Sequence, residues 1–272
     1  MVLPDVQPIL FDYKQHAIKL EGIYQNCSCF LVAAGPSLNE LDLTKLYQRG
    51  VLIASMNNVG AIKVRPNLWF SVDNPTSFCE NIWNDPAILK VIPEENIGKT
   101  FFVKDEKGKF QPSKKRVHEC PNVLMYRRNK DFHAETFLIE PTVNWGNHSE
   151  NFDSYGGKGG RSVLFPALRI LFYLGVRKVF LLGVDFNMQE SQPYSFPQVK
   201  HAKGCKSNNE AYRIFSERLT ALKPLFDKEN YRIYNCNQSS KLTCFEFKSY
   251  EECLLFATRN CPSNPDVRGM YG

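Results

Sequence analysis

No two cysteines stand in Cys-x-x-Cys spacing, although the chain carries nine, an odd number at irregular intervals. That argues against a zinc site. With no signal sequence at the N-terminus, it leads to the expectation of reduced thiols in a cytoplasmic setting. Long apolar runs are also missing. The longest, Val163 to Leu174, is interrupted by Pro166 and Arg169 and cannot span a bilayer. Neither sign of charge dominates: 34 Lys and Arg against 28 Asp and Glu leave +6, which says only that an anionic ligand or partner is welcome. There is no internal repeat and no low-complexity tract. What remains, at 43% hydrophobic and 23% charged over 272 residues, is ordinary globular composition with enough chain for a substantial core.

Short apolar runs alternate with helical patterns. Ser28 to Ala34 is a continuous buried strand broken by Gly35-Pro36-Ser37. Leu38, Leu41, Leu43, Leu46 and Tyr47 then suggest a helix ending near Gly50, and Val51 to Met56 is the next strand, which closes a βαβ unit. Leu68 to Val72 is a further strand, and Thr76 to Leu89 looks like its helix. After the buried helix Val163 to Leu174 come a strand at Lys178 to Leu182, an amphipathic helix at Asn208 to Phe226, a strand at Arg232 to Tyr234 and a helix at Ser249 to Thr258. Residues 1–27 lack a clean period and fit an N-terminal helix or arm. The alternation argues an α/β domain spanning 1–272, a Rossmann-like, mostly parallel sheet with helices on both faces. Residues 93–154, turn-rich and basic, are expected to form an inserted lid, with short strands at Thr100 to Val103 and Val123 to Tyr126. Between Lys99 and Lys130 stand ten basic residues against three acidic ones. This run reads either as a solvated loop or as a flap over a phosphorylated donor or polyanionic acceptor, nucleic acid included.

In parallel sheets ligands bind beyond the carboxyl ends of the strands, and four such ends carry polar or glycine-rich chemistry. Gly35-Pro36-Ser37 offers close backbone approach, a fixed turn and a helix-capping hydroxyl beside N–H groups that would face an anion. Asn57-Asn58 and Asp73-Asn74-Pro75 bring donor and acceptor groups suited to a base or ribose, though both are also common turn formers. The loop Gly156 to Ser162, containing Gly160, Arg161 and Ser162, opens a helix and favours phosphate. It fits neither the P-loop nor the Gly-x-Gly-x-x-Gly pattern, so neither an ATPase nor a dehydrogenase is supported. Beyond the 178–182 strand, Asp185, Asn187, Tyr194 and His201 follow, the last three at spacings of seven. That is neither a metal spacing nor a nucleophile triad, but a histidine near phosphate-binding groups suits a general base.

Taken in order, Gly35-Pro36-Ser37-Leu38, Asn57-Asn58, Asp73-Asn74-Pro75, Gly160-Arg161-Ser162-Val163 and the run Leu174 to Phe186 form a familiar set. The chain resembles the superfamily that joins bacterial CMP-sialic-acid-dependent sialyltransferases with motility-accessory-factor glycosyltransferases and hydroxymethylpterin diphosphokinase-like proteins. The resemblance covers residues 28–92 and 155–247. It implies a single-domain transferase with a lid, in which Gly35 and Ser37 meet the donor phosphate. Asn57, Asn58 and Asn74 would meet the ribose and base, and Ser162 the sugar or its phosphate. Asn235, Asn237 and Ser239 resemble the nucleotide-side loop after the last strand. In the sialyltransferases a tyrosine directly after Gly-Ile-Asp-Phe and a second one further on bind the leaving phosphate. Here Tyr194 matches the second, and Asn187 replaces the first. His201 falls close to the general base.

The implied reaction is a direct displacement: His201 takes the acceptor hydroxyl's proton while Tyr194, Asn187 and helix N-termini stabilise the departing nucleotide. No cofactor is required beyond the nucleotide-sugar substrate, with Mg²⁺ left open. Two other readings stand beside it. One is pyrophosphate transfer from ATP, which would want Mg²⁺ on several carboxylates where only Asp73 and Asp185 are at hand. The other is a non-catalytic basic module that binds nucleic acid through residues 99–130 with Phe101, Phe102, Phe110 and Tyr126.

Overall fold

Side chains that alternate along each strand sort the core into layers, as a repeat of two demands. In β1 (Ser28–Val32), Cys29 and Leu31 pack to one side and Phe30 and Val32 to the other, all fully buried. The computed structural model describes residues 7–25, 27–146, 161–197 and 202–259, the side chains of Ala202 and Lys203 excepted.

The remaining strands are β2 (Leu52–Met56), β3 (Leu68–Phe70), β4 (Leu89–Pro93), β5 (Thr100–Lys104), β6 (Phe110–Arg116), β7 (Val123–Tyr126), β8 (Arg128–Asn129), β9 (Val143–Asn144), β10 (Lys178–Leu182), β11 (Arg232–Asn235) and β12 (Glu246–Phe247). Among the described residues eight of them form one sheet in the order β12-β11-β10-β1-β2-β3-β4-β7. Every pairing in it is parallel. The chain thus builds outward from β1 on one side, then returns to lay β10 against β1 on the other. This is a doubly wound α/β sheet with its switch point between β1 and β10.

The helices are α1 (Val59–Ile62), α2 (Glu80–Asn84), α3 (Leu164–Tyr173), α4 (Ala202–Lys228) and α5 (Tyr250–Thr258). One face of the sheet is covered by α3 and α4, with Phe165, Leu168, Phe215 and Leu219 among the buried contacts. The other is covered by α5 and two 3-10 turns, through Leu38, Leu46, Cys253 and Leu254. A third layer joins α2 to β5 around Trp69, Trp83 and Phe101.

Several sequence expectations are corrected. The helix after β1 is two 3-10 turns, Pro36–Glu40 and Leu43–Leu46. Asp42 divides them, because its carboxylate accepts from the Thr44 N–H and starts a new turn. The helix expected over Thr76 to Leu89 shrinks to α2. Asp85 caps the Ala87 N–H in an Asx-type turn, Pro86 follows, and the chain passes directly into β4. No strand was expected there, since Lys90 and Pro93 interrupt its apolar run. Lys90 is nonetheless fully buried, and its ammonium donates to the carbonyls of Asp85 (2.7 Å), Ile88 (3.0 Å) and Pro121 (2.7 Å). Burial pushes its pKa down to about 8. Within the region expected as a lid, β7 belongs to the central sheet, and β5 and β6 form a separate antiparallel hairpin. Residues 7–25 are an arm rather than a helix. Phe11 exchanges both backbone hydrogen bonds, each 2.9 Å, with Met125 and so covers the edge of β7.

Candidate functional site

At the carboxyl ends of β1, β2, β3 and β10 lies a cavity of about 550 Å³, within the roughly 300–1,000 Å³ usual for small-molecule sites. It sits at the switch point because the strand ends on either side of β1 diverge there, leaving a crevice that no crossover fills. Its floor is formed by Ala33 and Ala34, just after β1. Its walls come from Asn57, Asp73, Arg161 and Ser162 on one side, and from Asp185, Phe186, Asn187, Tyr194 and the first half of α4 on the other.

Gly35 and Gly183 make the floor possible. A Cβ on Gly35 would lie 2.4 Å from the Gly183 carbonyl oxygen and 2.5 Å from the Asp185 carboxylate. Gly183 has a φ of +65°, and its Cβ would lie 2.5 Å from the Ala33 carbonyl oxygen. The two strand ends therefore cross at a distance that only glycine permits.

The turn expected to cradle a phosphate is already occupied by the protein itself. Asp185 accepts from the Ser37 backbone N–H (3.0 Å), from the Ser37 hydroxyl, and from the Asn237 side-chain amide (2.9 Å). The Gly35 N–H donates to the Gly183 carbonyl, and the Leu38 N–H to the Gly35 carbonyl; Pro36 has none to give. The donors of Gly35 to Leu38 are thus spent within the fold, and Gly35 serves close backbone packing. A carboxylate, rather than a bound phosphate, neutralises this helix start.

Other residues singled out by sequence turn away from the cavity. Asn58 donates to the Ser77 carbonyl (2.9 Å) and accepts from the Cys79 N–H (3.1 Å), while Asn74 caps Thr76. Asn235 is buried and donates to the Val184 carbonyl. Ser239 donates its N–H to the side chain of Asn237, which in turn holds Asp185. None of Ser37, Asn58, Asn74, Asn235, Asn237 and Ser239 lines the cavity. They brace the loops that do. Gly160 and His201 lie outside the described residues.

Gly35, Pro36, Asn57, Asp73, Arg161, Ser162, Asp185, Asn187 and Tyr194 do line it. Asn57 sits in the left-handed region at φ +56°, where asparagine is among the more tolerant residues. Arg161 pairs with Asp73 at 2.6 Å across the mouth, both side chains a little over one-third exposed. Water screens a pair at that exposure, so it orients Arg161 more than it stabilises the fold. The segment carrying Tyr194 is fixed by the Ser195 N–H donating to the Ala34 carbonyl (2.8 Å), and Tyr194 stacks on Phe196.

Ser207, Asn208 and Tyr212 also line the cavity and were not foreseen. They share one face of α4 with Ala211 and Phe215, and that face is polar at Ser207 and Asn208 and largely apolar from Ala211 on. The change of polarity along one stripe was the available signal. Asn209 clamps the opposing loop, accepting from the Met188 N–H (2.8 Å) and donating to the Met188 carbonyl (3.0 Å). Tyr212 stacks on Phe186, ring centroids 4.9 Å apart. Desolvation first, then the neighbouring Tyr194 and Asp185, push its phenol up to about 12, so at neutral pH it is a hydrogen-bond donor.

No family model matches the sequence, and no curated protein does. Among solved structures the chain is similar to the sialyltransferase CstII from Campylobacter jejuni in complex with cytidine-5'-monophosphate. Identity there is 13%, with 83% of this chain and 86% of that one covered, at a TM-score of 0.44. A second similar structure is the sialyltransferase CST-II in complex with a trisaccharide acceptor and CMP, at 15% identity, 82% and 86% coverage and a TM-score of 0.40.

Proposed function

We propose that this protein is a glycosyltransferase that moves a sugar from a nucleotide-sugar donor to a hydroxyl acceptor by direct displacement. The observation that carries the reading is the cavity at the switch point between β1 and β10, with hydroxyl, amide and guanidinium groups converging on it. The residue pattern from Gly35 to Phe186, which resembles the sialyltransferase and motility-accessory-factor group, supports the same reading.

The occupied turn changes how the donor sits. With Ser37 bonded to Asp185, the nucleotide's phosphate is met on the opposite rim, by the phenols of Tyr194 and Tyr212 and the amide of Asn187. These neutral donors stabilise negative charge as the nucleotide leaves without trapping the donor beforehand. Asp185 has acceptor capacity left after its three bonds and suits a ribose hydroxyl. Arg161 and Ser162 stand where the transferred sugar, or its own acid group, would lie. His201, next in sequence to α4, takes the acceptor's proton in this scheme. Asp73 and Asp185 are the two carboxylates among the described residues that line the cavity, fewer than the several a pyrophosphokinase would want for Mg²⁺, which favours glycosyl transfer over that alternative.

Turnover with CMP-, UDP-, GDP- and ADP-linked sugars, followed by mass spectrometry of the products, tests the proposal. One donor should be consumed. With it, Tyr194→Phe should lower kcat by about 10²-fold while donor affinity changes little. A protein stabilised by ATP and by none of the sugar nucleotides is no glycosyltransferase. Unchanged turnover in His201→Ala would remove His201 from the base role.

A further inference from the structure

The hairpin of β5 and β6 carries a locally concentrated net positive charge. Residues 99–116 hold seven basic side chains, six of them lysine, against Asp105 and Glu106, a balance of +5 in a chain of +6. Asp105 is turned inward, accepting from the N–H groups of Lys107 and Lys109 at 2.9 Å each, so the turn itself uses its carboxylate.

The two faces of the hairpin differ. Phe101 is buried, and Val103 packs beside it on the Trp83 layer. Alternation sends Phe102 and Lys104 outward, paired with Pro112 and Phe110 of β6. Phe110 is 63% exposed and Phe102 36%, and Pro112 is exposed between them. Lys104 shares this face, and Lys107 and Lys109 are exposed at the turn beyond it. An apolar face bordered by lysines is an arrangement that holds proteins at anionic bilayer surfaces: the rings enter the headgroup boundary and the ammonium groups remain among phosphates and carboxylates.

We propose that this outer face docks the protein on an anionic lipid membrane. The choice of lipid over single-stranded nucleic acid rests on two observations. Six of the seven cations are lysines, compact point charges, and Arg116 alone among them carries the planar fork suited to nucleic-acid recognition. The Lys104 ammonium also lies 5.3 Å from the centroid of the Phe110 ring, covering a face on which a base would have to stack. The site's mouth would be held close to the surface, because buried Asn96 ties the foot of the hairpin to the cavity rim. It donates to the Asp73 carbonyl (2.8 Å) and accepts from Lys99 (2.7 Å). Among the described residues no helix is long and apolar enough to cross a membrane, and docking of this kind requires none. The proposal does not depend on the transferase reading.

Co-sedimentation of the full chain with phosphatidylcholine vesicles, with and without about 30% phosphatidylserine, tests it. Binding should need the anionic lipid and weaken as salt rises from about 0.05 to 0.5 M. The pair Lys107→Glu/Lys109→Glu and the single substitution Phe110→Ser should each lower vesicle affinity about tenfold or more with an unchanged thermal midpoint, since these three side chains are exposed. No sedimentation with phosphatidylserine vesicles at low salt overturns the proposal. So does undiminished binding by both variants. Tighter, lysine-dependent retention on a single-stranded oligonucleotide than on the vesicles also overturns it, and would make nucleic acid the partner.

Discussion

Asp185 accepts three hydrogen bonds at the point where β10 ends, two from Ser37 and one from Asn237, and so fixes the geometry of the cavity floor. Gly35 lets the two chains meet there. Gly35→Ala forces a Cβ onto backbone oxygen and carboxylate at 2.4–2.5 Å, neither of which is the free end of a flexible side chain. A loss of about 3 kcal/mol in urea unfolding is expected, with nucleotide binding impaired alongside. At Lys90 a pH dependence follows. Its pKa is pushed from the ordinary lysine range down to about 8 by burial, so between those values the unfolded chain binds the proton more readily than the folded one. The stability linked to this group is present above the unfolded pKa and is lost as pH falls through about 8. Measured against Lys90→Met, the native protein should therefore gain stability as pH rises from about 8 to 10. A flat difference would remove Lys90 as the cause. At this scale the strand-end residues were legible in the sequence as polar groups after apolar runs. Which of them face the cavity was not, because that depends, for Asn57 against Asn58 as for Tyr194 against Ser37, on the neighbours that three-dimensional packing supplies.

Elements were legible wherever their apolar pattern ran uninterrupted. The strands at 28–32 and 178–182, and the helices α3, α4 and α5, have near-continuous or cleanly amphipathic patterns, and the fold follows them. β4 was hidden by a lysine whose partners come from residues 85, 88 and 121, contacts that no local window contains. The crossover after β1 carries helix-like leucine spacing, yet Asp42 offers the backbone a competing turn. α5 illustrates the opposite case, a start signal that works. Ser249 and Glu252 form a reciprocal capping box, each accepting from the other's backbone N–H. Ser249→Ala should cost about 1 kcal/mol and lower the thermal midpoint accordingly. No change would mean that the buried Tyr250, Cys253 and Leu254 alone hold α5 in place.

Across the whole molecule the order of strands decides where chemistry can occur. A parallel sheet that builds outward from β1 and then restarts at β10 leaves one crevice at its carboxyl edge, and nine residues singled out from the sequence lie around it. The basic hairpin stands at one end of this edge and the α4 face at the other, so the proposed surface docking and the proposed donor binding fall on separate parts of one architecture. Hydrogen exchange measured by mass spectrometry, with and without CMP-, UDP-, GDP- and ADP-linked sugars, tests the claim that this crevice is the donor site most directly. One donor should slow exchange at 33–38, 183–188 and 205–212 and leave 100–116 unchanged. Protection confined to the hairpin, or absent with every donor, would contradict it.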